Sequence, residues 1–129
     1  MRSKPSREEV AFAIETLEGE HIGHSGIHNI SWPHGTALTG VFIGRQDLWN
    51  KGYATDACRV RARYCFEVLG LRMLVSEVLQ GNEASLAVLI KAGYVEYGVL
   101  PKKYWKRGQL RDATLVYLDR ERWESAQGS

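Results

Sequence analysis

The chain has 129 residues, of which 44% are hydrophobic and 25% charged, and its formal net charge is +2. That length suits one domain around a single core, and that charge is too small to argue for nucleic acid or an anionic membrane. No apolar run approaches the ~20 residues that span a bilayer, and the polar start from Met1 to Val10 lacks the apolar stretch of a secretory signal.

After the polar lead-in, Val10 to Leu17 alternates as a strand, with Val10, Phe12 and Ile14 on one face. Glu18-Gly19-Glu20 is a turn signal. His21 to Ser31 reads as a second strand weakened by Gly23 and Gly26, Trp32 to Gly35 turns again, and Thr36 to Ile43 is a third strand. Short turns make these three an antiparallel meander. Gly44 to Lys51 is a polar loop. From Gly52 to Leu69 the apolar period becomes helical: Ala54, Cys58, Ala62, Cys65, Phe66 and Leu69 share a face, while Asp56, Arg59, Arg63 and Glu67 lie largely away from it. Gly70 is a C-cap. Leu71 to Leu79 is a strand in which Leu71, Met73, Val75 and Leu79 share an apolar face with Glu77. Asn82 caps a second helix that runs to about Ala92 and ends at Gly93. Tyr94 to Leu100 and Leu110 to Leu118 are two more strands, joined by a long basic connection from Pro101 to Gln109. A polar helical tail covers Arg120 to Glu124.

The order β-β-β-α-β-α-β-β predicts one α+β domain over residues 1–129. Its sheet is mixed and mostly antiparallel, with a parallel β-α-β unit formed by the third strand, the first helix and the strand after it. Cys58 and Cys65 fall two turns apart on that helix, ~10 Å at ~1.5 Å per residue, too far for a disulfide. Two buried thiols in a reducing cytoplasm are expected. His24 and His28 share a strand face and His21 takes the other. No cysteine or carboxylate completes a ligand set of known spacing, so no metal is expected.

Trp49-Asn50-Lys51-Gly52-Tyr53-Ala54 follows a strand and opens a helix. The first N–H groups of a helix have no intrahelical partner and lie at the positive end of its dipole, so they can cradle a phosphate. Gly52 permits close backbone approach, Ala54 does not block it, and Lys51 adds charge. The spacing fits neither the nucleotide P-loop nor the dinucleotide fingerprint, and a plain strand-to-helix turn would read the same way.

Four ordered motifs resemble the GNAT N-acetyltransferases, and within them the subgroup that acetylates ribosomal-protein N-termini (RimJ/RimL-type). They are Phe12 to Glu15 with Gly19 to Gly23; Leu48 to Ala57; Asn82 to Ser85 with Lys91 to Tyr94; and Tyr104 with Gly108 to Asp112. The resemblance covers about Phe12 to Leu118. Trp49 stands at the Gln/Arg position of the family's Gln/Arg-x-x-Gly-x-Gly/Ala pattern, and Gly52 and Ala54 match it. The resemblance implies acetyl-CoA as cosubstrate and an amine as acceptor. It implies that N–H groups from Trp49, Asn50, Lys51, Gly52, Tyr53, Ala54 and Thr55 hold the pyrophosphate. The backbone of Phe42, Ile43 and Gly44 would pair with the pantetheine arm like an added strand, and Asn82 would touch the same arm. The third strand and the strand after the helix would splay to admit it.

Direct attack of an amine on a thioester needs proximity, an oxyanion donor, a route for the amine's proton and help for the leaving thiolate. By resemblance, Ser85 is the hydroxyl beside the thiolate. A first-turn serine bonded to Asn82 or to its own backbone is the alternative. The tyrosine that serves many family members four residues later is Leu89 here. Tyr104 stands where the subgroup has its glutamate base, and Glu77 is a second candidate. Lys102, Lys103, Lys106 and Arg107, with Tyr104 and Trp105, form a basic stretch suited to a solvated loop, the coenzyme's 3′-phosphate, an acidic substrate or RNA. Family members carry a strand and one or two helices before the segment matching Phe12. A fragment, a wall supplied by a second subunit or a noncatalytic acetyl-CoA-binding module are the readings this leaves, and an uncovered sheet favours a homodimer.

Overall fold

A computed structural model of the chain describes residues 9–15, 18–43 and 52–127. The alternating segments become β1 (Val10–Glu15), β2 (His21–Ser31) and β3 (Thr36–Ile43), an antiparallel meander in which Val10 faces Ile27 and Gly26 faces Gly40. Thr16 and Leu17, the rest of the expected first strand, lie outside the described residues. Then come α1 (Tyr53–Arg63), β4 (Met73–Leu79), α2 (Glu83–Lys91), β5 (Val95–Lys106), β6 (Gln109–Asp119) and α3 (Arg120–Gln127). The described strands make one mixed sheet in the order β1-β2-β3-β4-β6-β5, and β3 and β4 are its parallel pair, as the β-α-β unit predicts.

Beyond α1 the helix continues from Tyr64 to Val68 with a widened, π-type turn: Leu69 N–H reaches the Tyr64 carbonyl at 3.0 Å. Cys58, Ala62, Cys65 and Phe66 on this helix, Leu89 on α2 and Trp123 on α3 pack onto Leu74, Val78, Val116 and Leu118. All three helices therefore cover one face of the sheet. A fully buried side chain such as Phe66 contributes about 1.5–3 kcal/mol to that packing.

Two expectations are corrected here. The strand after the first helix starts at Met73 rather than Leu71, because Leu71 still belongs to the helix exit, its N–H bonded to the Cys65 carbonyl at 2.9 Å. The helix-covered face is then Leu74, Ser76 and Val78, and Glu77 shares the opposite, half-buried face with Met73, Val75 and Leu79. The stretch from Pro101 to Gln109 is strand through most of its length, not a connecting loop. Only Arg107 and Gly108 turn, both with positive φ (52° and 76°), between β5 and β6. Pro101 is tolerated because β5 is an edge strand, where a missing N–H breaks no ladder.

Cys58 and Cys65 are both free and buried. Burial pushes both thiols up, Cys65 to about 12, against the opposing pull of Arg61. Thiolate is the reactive form, so the folded protein is expected to show no reaction with a chromogenic disulfide reagent at pH 8 within minutes. Two thiols should appear on unfolding in guanidinium. Rapid reaction of either thiol in the native protein contradicts this burial.

Candidate active site

The parallel pair β3 and β4 is joined only over its first three residue pairs, Thr36 with Met73, Ala37 with Leu74 and Leu38 with Val75. From Thr39 and Ser76 onward the two strands no longer pair with each other, although β3 stays paired to β2 as far as Ile43 and β4 to β6 as far as Leu79. The sheet is thus forked in its interior. A fork leaves main-chain donors and acceptors without a neighbouring strand, which is a template for an extended ligand. At its base the Ser76 hydroxyl donates to the Thr39 carbonyl at 2.9 Å, replacing the first missing ladder bond.

The start of α1 lies on the same connection. Gly52 has φ 88° and ψ −5°, a left-handed conformation that disfavours any side chain. A Cβ built there meets no described atom within 4 Å beyond its chain neighbours. Among the described residues no side chain caps the helix, and the N–H groups of Tyr53, Ala54 and Thr55, at the start of the helix, are placed to suit an anion. Tyr53 and Ala54 also pack against Ile14 and Ile22, which fixes this end of the helix to β1 and β2. The backbone of Phe42 and Ile43 lies on the open arm of β3. Gly44, Trp49, Asn50 and Lys51 lie outside the described residues.

Behind the fork a buried polar cluster ties these parts together. Arg61 is fully buried and projects from α1. Its Nη1 donates to the Gly40 carbonyl (2.7 Å) and to Ser25 Oγ (3.1 Å), and its Nη2 to Tyr94 Oη (3.1 Å) and Cys58 Sγ (3.4 Å). Tyr94 Oη lies 2.8 Å from Thr39 Oγ1. Burial is the largest influence on the guanidinium and disfavours its charge, while Tyr94, Cys58 and Cys65 act in the opposite direction. Sequence reading passed over this residue, although the helical period sets Arg61 three after Cys58 and four before Cys65, on the apolar face.

On the other side of β4, α2 begins at Asn82, whose Oδ1 accepts the Ser85 N–H at 3.3 Å. The Asn82 Nδ2 remains to donate elsewhere, and among the described residues no partner holds the half-buried Ser85 hydroxyl. The bond to Asn82 therefore involves the Ser85 backbone and leaves its side chain free.

The two candidate bases, which sequence reading treated separately, meet. Tyr104 Oη donates to Glu77 Oε1 at 2.5 Å, and Lys103 Nζ sits 2.7 Å from both Glu77 oxygens. Lys103 was missed for a clear reason. Neighbours on a regular strand point to opposite faces, so Lys103 and Tyr104 should not share a target. From Leu100 to Tyr104, however, β5 advances four residues while β6 advances two, from Ala113 to Arg111. This bulge contains Lys102 at φ 54°, whose N–H is held by Asp112 Oδ1 at 2.9 Å, and it turns both side chains toward Glu77. The hydrogen bonds from Lys103 and then Tyr104 hold the Glu77 carboxyl below the ordinary carboxylate value. Beside this site, at the end of β4, a cavity of about 250 Å³ lies between Leu79–Asn82 and Lys106, Arg107 and Arg111. A cavity of about 270 Å³ under α3 is lined by none of the candidate residues.

His21 Nε2 donates to the Gly23 carbonyl at 2.7 Å, and among the described residues no three metal-ligating side chains converge. None of the described helices is long and apolar enough to cross a membrane.

Comparison with known proteins gives a consistent picture. The description of an acetyltransferase (GNAT) domain matches residues 1–95. YoaA of Bacillus subtilis, an uncharacterized N-acetyltransferase, is 30% identical over 103 residues, 80% of this chain. YdaF of the same organism, named provisionally as a ribosomal N-acetyltransferase, is 30% identical over 107 residues, 83% of this chain. The chain spans 58% of the length of each. Among solved structures, the spermidine N-acetyltransferase SpeG of Vibrio cholerae in complex with CoA and spermine superposes with a TM-score of 0.85. Its identity is 22%, over 92% of this chain and 69% of that one. The likeness at that identity is one of fold.

Proposed function

The chain belongs to the GNAT acetyltransferase family, and from that membership we propose that it transfers the acetyl group of acetyl-CoA to a primary amine, a protein N-terminus or a small molecule, by direct attack in a ternary complex. The observation that carries the reading is the fork between β3 and β4, which opens beside an uncapped helix start at Gly52. Backbone donors and an extended main-chain edge are what a pyrophosphate with a pantetheine arm requires.

In this reading the N–H groups of Tyr53, Ala54 and Thr55, with Gly52, hold the pyrophosphate, together with those of Trp49, Asn50 and Lys51, and Gly44 extends the pantetheine edge of β3. The open edge of β3 at Phe42 and Ile43 pairs with the pantetheine arm, a backbone N–H there polarises the thioester carbonyl, and Asn82 Nδ2 donates to the arm. The amine nitrogen forms its bond to the carbonyl carbon, and the tetrahedral oxyanion collapses with loss of the coenzyme thiolate. Ser85 Oγ–H donates to that sulfur. The proton from the attacking nitrogen passes toward Glu77, directly or through Tyr104. Kinship to one relative provisionally named as a ribosomal N-acetyltransferase supports a protein N-terminus as acceptor, and the SpeG fold supports a polyamine equally; a primary amine is common to both.

The state of Glu77 makes a pH prediction. Its value is lowered, so its contribution to stability is present above the ordinary carboxylate pKa and is lost as pH falls through the lowered one. Lys103 is raised by the same contact and keeps its charge until pH rises past its elevated value. Neither titrates between pH 6 and 9. A carboxylate so stabilised is also a weak base. Thiol release from acetyl-CoA, followed over an amine panel, is therefore expected to rise with pH through the acceptor's own pKa, ~7.7–8 for an α-amine and ~10.4 for a lysine amine. The buried cysteines should add no background. Saturable binding of acetyl-CoA with no thiol release from any amine would leave a noncatalytic coenzyme-binding module. Absence of binding by the folded chain sinks both.

A further inference from the structure

We propose that Arg61 is a positioning residue for the coenzyme site: from beneath α1 its guanidinium holds the open arm of β3 at Thr39 and Gly40, and so sets the width of the fork. The inference rests on the reading above, that acetyl-CoA occupies that fork.

Stability alone does not account for this residue. Arg61 is 0% exposed, and among the described residues its four partners are a carbonyl, two hydroxyls and a thiol, while its Nε has none. A buried cation without a carboxylate among the described residues carries a desolvation cost that no ion pair offsets. Leucine there would remove that cost but leave the Gly40 carbonyl and the Ser25 and Tyr94 hydroxyls without this donor.

What the guanidinium touches points to a different role. Its shortest bond goes to the Gly40 carbonyl, two residues past Leu38, the last residue of β3 that pairs with β4. Tyr94, itself bonded to Arg61, holds Thr39 Oγ1 from the same cluster. Ser76 holds the Thr39 carbonyl from β4. The first two residues of the splayed arm are thus anchored exactly where the sheet ladder stops. Tyr94 reaches this place because Gly93, at φ 107°, reverses the chain after α2 and lets the Tyr94 N–H return to the Leu89 carbonyl at 3.0 Å. One side chain therefore links α1, β2, β3 and the exit of α2. The Gly52 end of α1 is nine residues away, ~13 Å along the helix, so Arg61 acts on the site through the backbone and not by touching the coenzyme.

The test uses Arg61→Leu, with Tyr94→Phe as a milder variant that removes one hydroxyl. Amide hydrogen exchange of the free protein is followed over residues 37–43 and over β6, with thermal midpoints and acetyl-CoA calorimetry alongside. In Arg61→Leu the protein should stay folded with a modestly lowered midpoint, exchange should rise at least tenfold over 39–43 and stay put in β6, and acetyl-CoA affinity should fall at least tenfold. Tyr94→Phe should move the same segment by less, which keeps the proposal testable if Arg61→Leu does not fold. Unchanged exchange over 39–43, or exchange that rises everywhere, overturns the proposal and makes Arg61 a structural residue. Wild-type affinity retained in Arg61→Leu overturns it alone, whereas a wild-type chain that binds no acetyl-CoA overturns it together with the reading it rests on.

Discussion

Gly52→Glu is expected to abolish acetyl-CoA binding in calorimetry while leaving a folded protein. Two effects act at this position and they differ in kind. Any side chain at φ 88° is strained by about 1–2 kcal/mol, but its Cβ meets no described atom within 4 Å beyond its chain neighbours, so a clash at that carbon does not add to the strain. A carboxylate at a helix start is, if anything, favoured by the dipole by about 0.3–1 kcal/mol, which offsets part of the strain. Against a pyrophosphate the same carboxylate is repelled. One pair of like charges 4 Å apart costs about 4 kcal/mol at an effective dielectric of 20, or roughly a thousandfold in affinity. Gly52→Ala carries the strain without the charge and is expected to keep most of the affinity. Wild-type binding by Gly52→Glu would remove the start of α1 from the coenzyme site.

Much of this fold could be read directly from residue order. The glycines and Asn82 that bound the two crossover helices each need a conformation or a cap that few residues supply, and the helices end where these residues stand. The parallel pairing of β3 and β4 follows from their connection through a helix. Three features could not be read so easily, each because a local departure cancels a periodic rule. Leu71 is buried by the helix exit and not by the strand, and counting it into the strand inverted the apparent faces of β4. Pro101 and the basic run after it read as the end of a strand, yet on an edge Pro101 and the positive φ of Lys102 only bulge it. That bulge brings Lys103 and Tyr104 onto one carboxylate, a convergence that alternation forbids. Arg61 is the reverse case: the helical period does put it on the buried face, and only its charge argues otherwise. Glu77 and Tyr104 could each be picked out as candidates, but their contact depends on the pairing of β5 with β6 and of β6 with β4, which no single segment contains.

Ser85→Ala is expected to lower kcat by about ten- to a hundredfold, at or below the low end of the range for a single proton-transfer group, and to leave acetyl-CoA affinity within about twofold. The separation of the two effects follows from the geometry. Asn82 caps α2 through the Ser85 N–H, which alanine keeps, so the helix start and the Asn82 side chain are preserved. The hydroxyl, by contrast, has no partner among the described residues, and its loss leaves no buried group unsatisfied; the thermal midpoint should not fall. A coenzyme thiol with a pKa of ~8.5, judged by cysteine, is a fair leaving group without a strong acid, which is why the effect is bounded. The same reasoning separates Ser85 from the Glu77 pair. Glu77→Gln removes a base already weakened by Lys103 and Tyr104, so its cost should be smaller than that of Ser85→Ala and should shrink further as pH approaches the pKa of the acceptor. If Glu77→Gln proves the more damaging of the two at pH 8, the proton from the amine, and not the departing thiolate, is the step that the protein's side chains control.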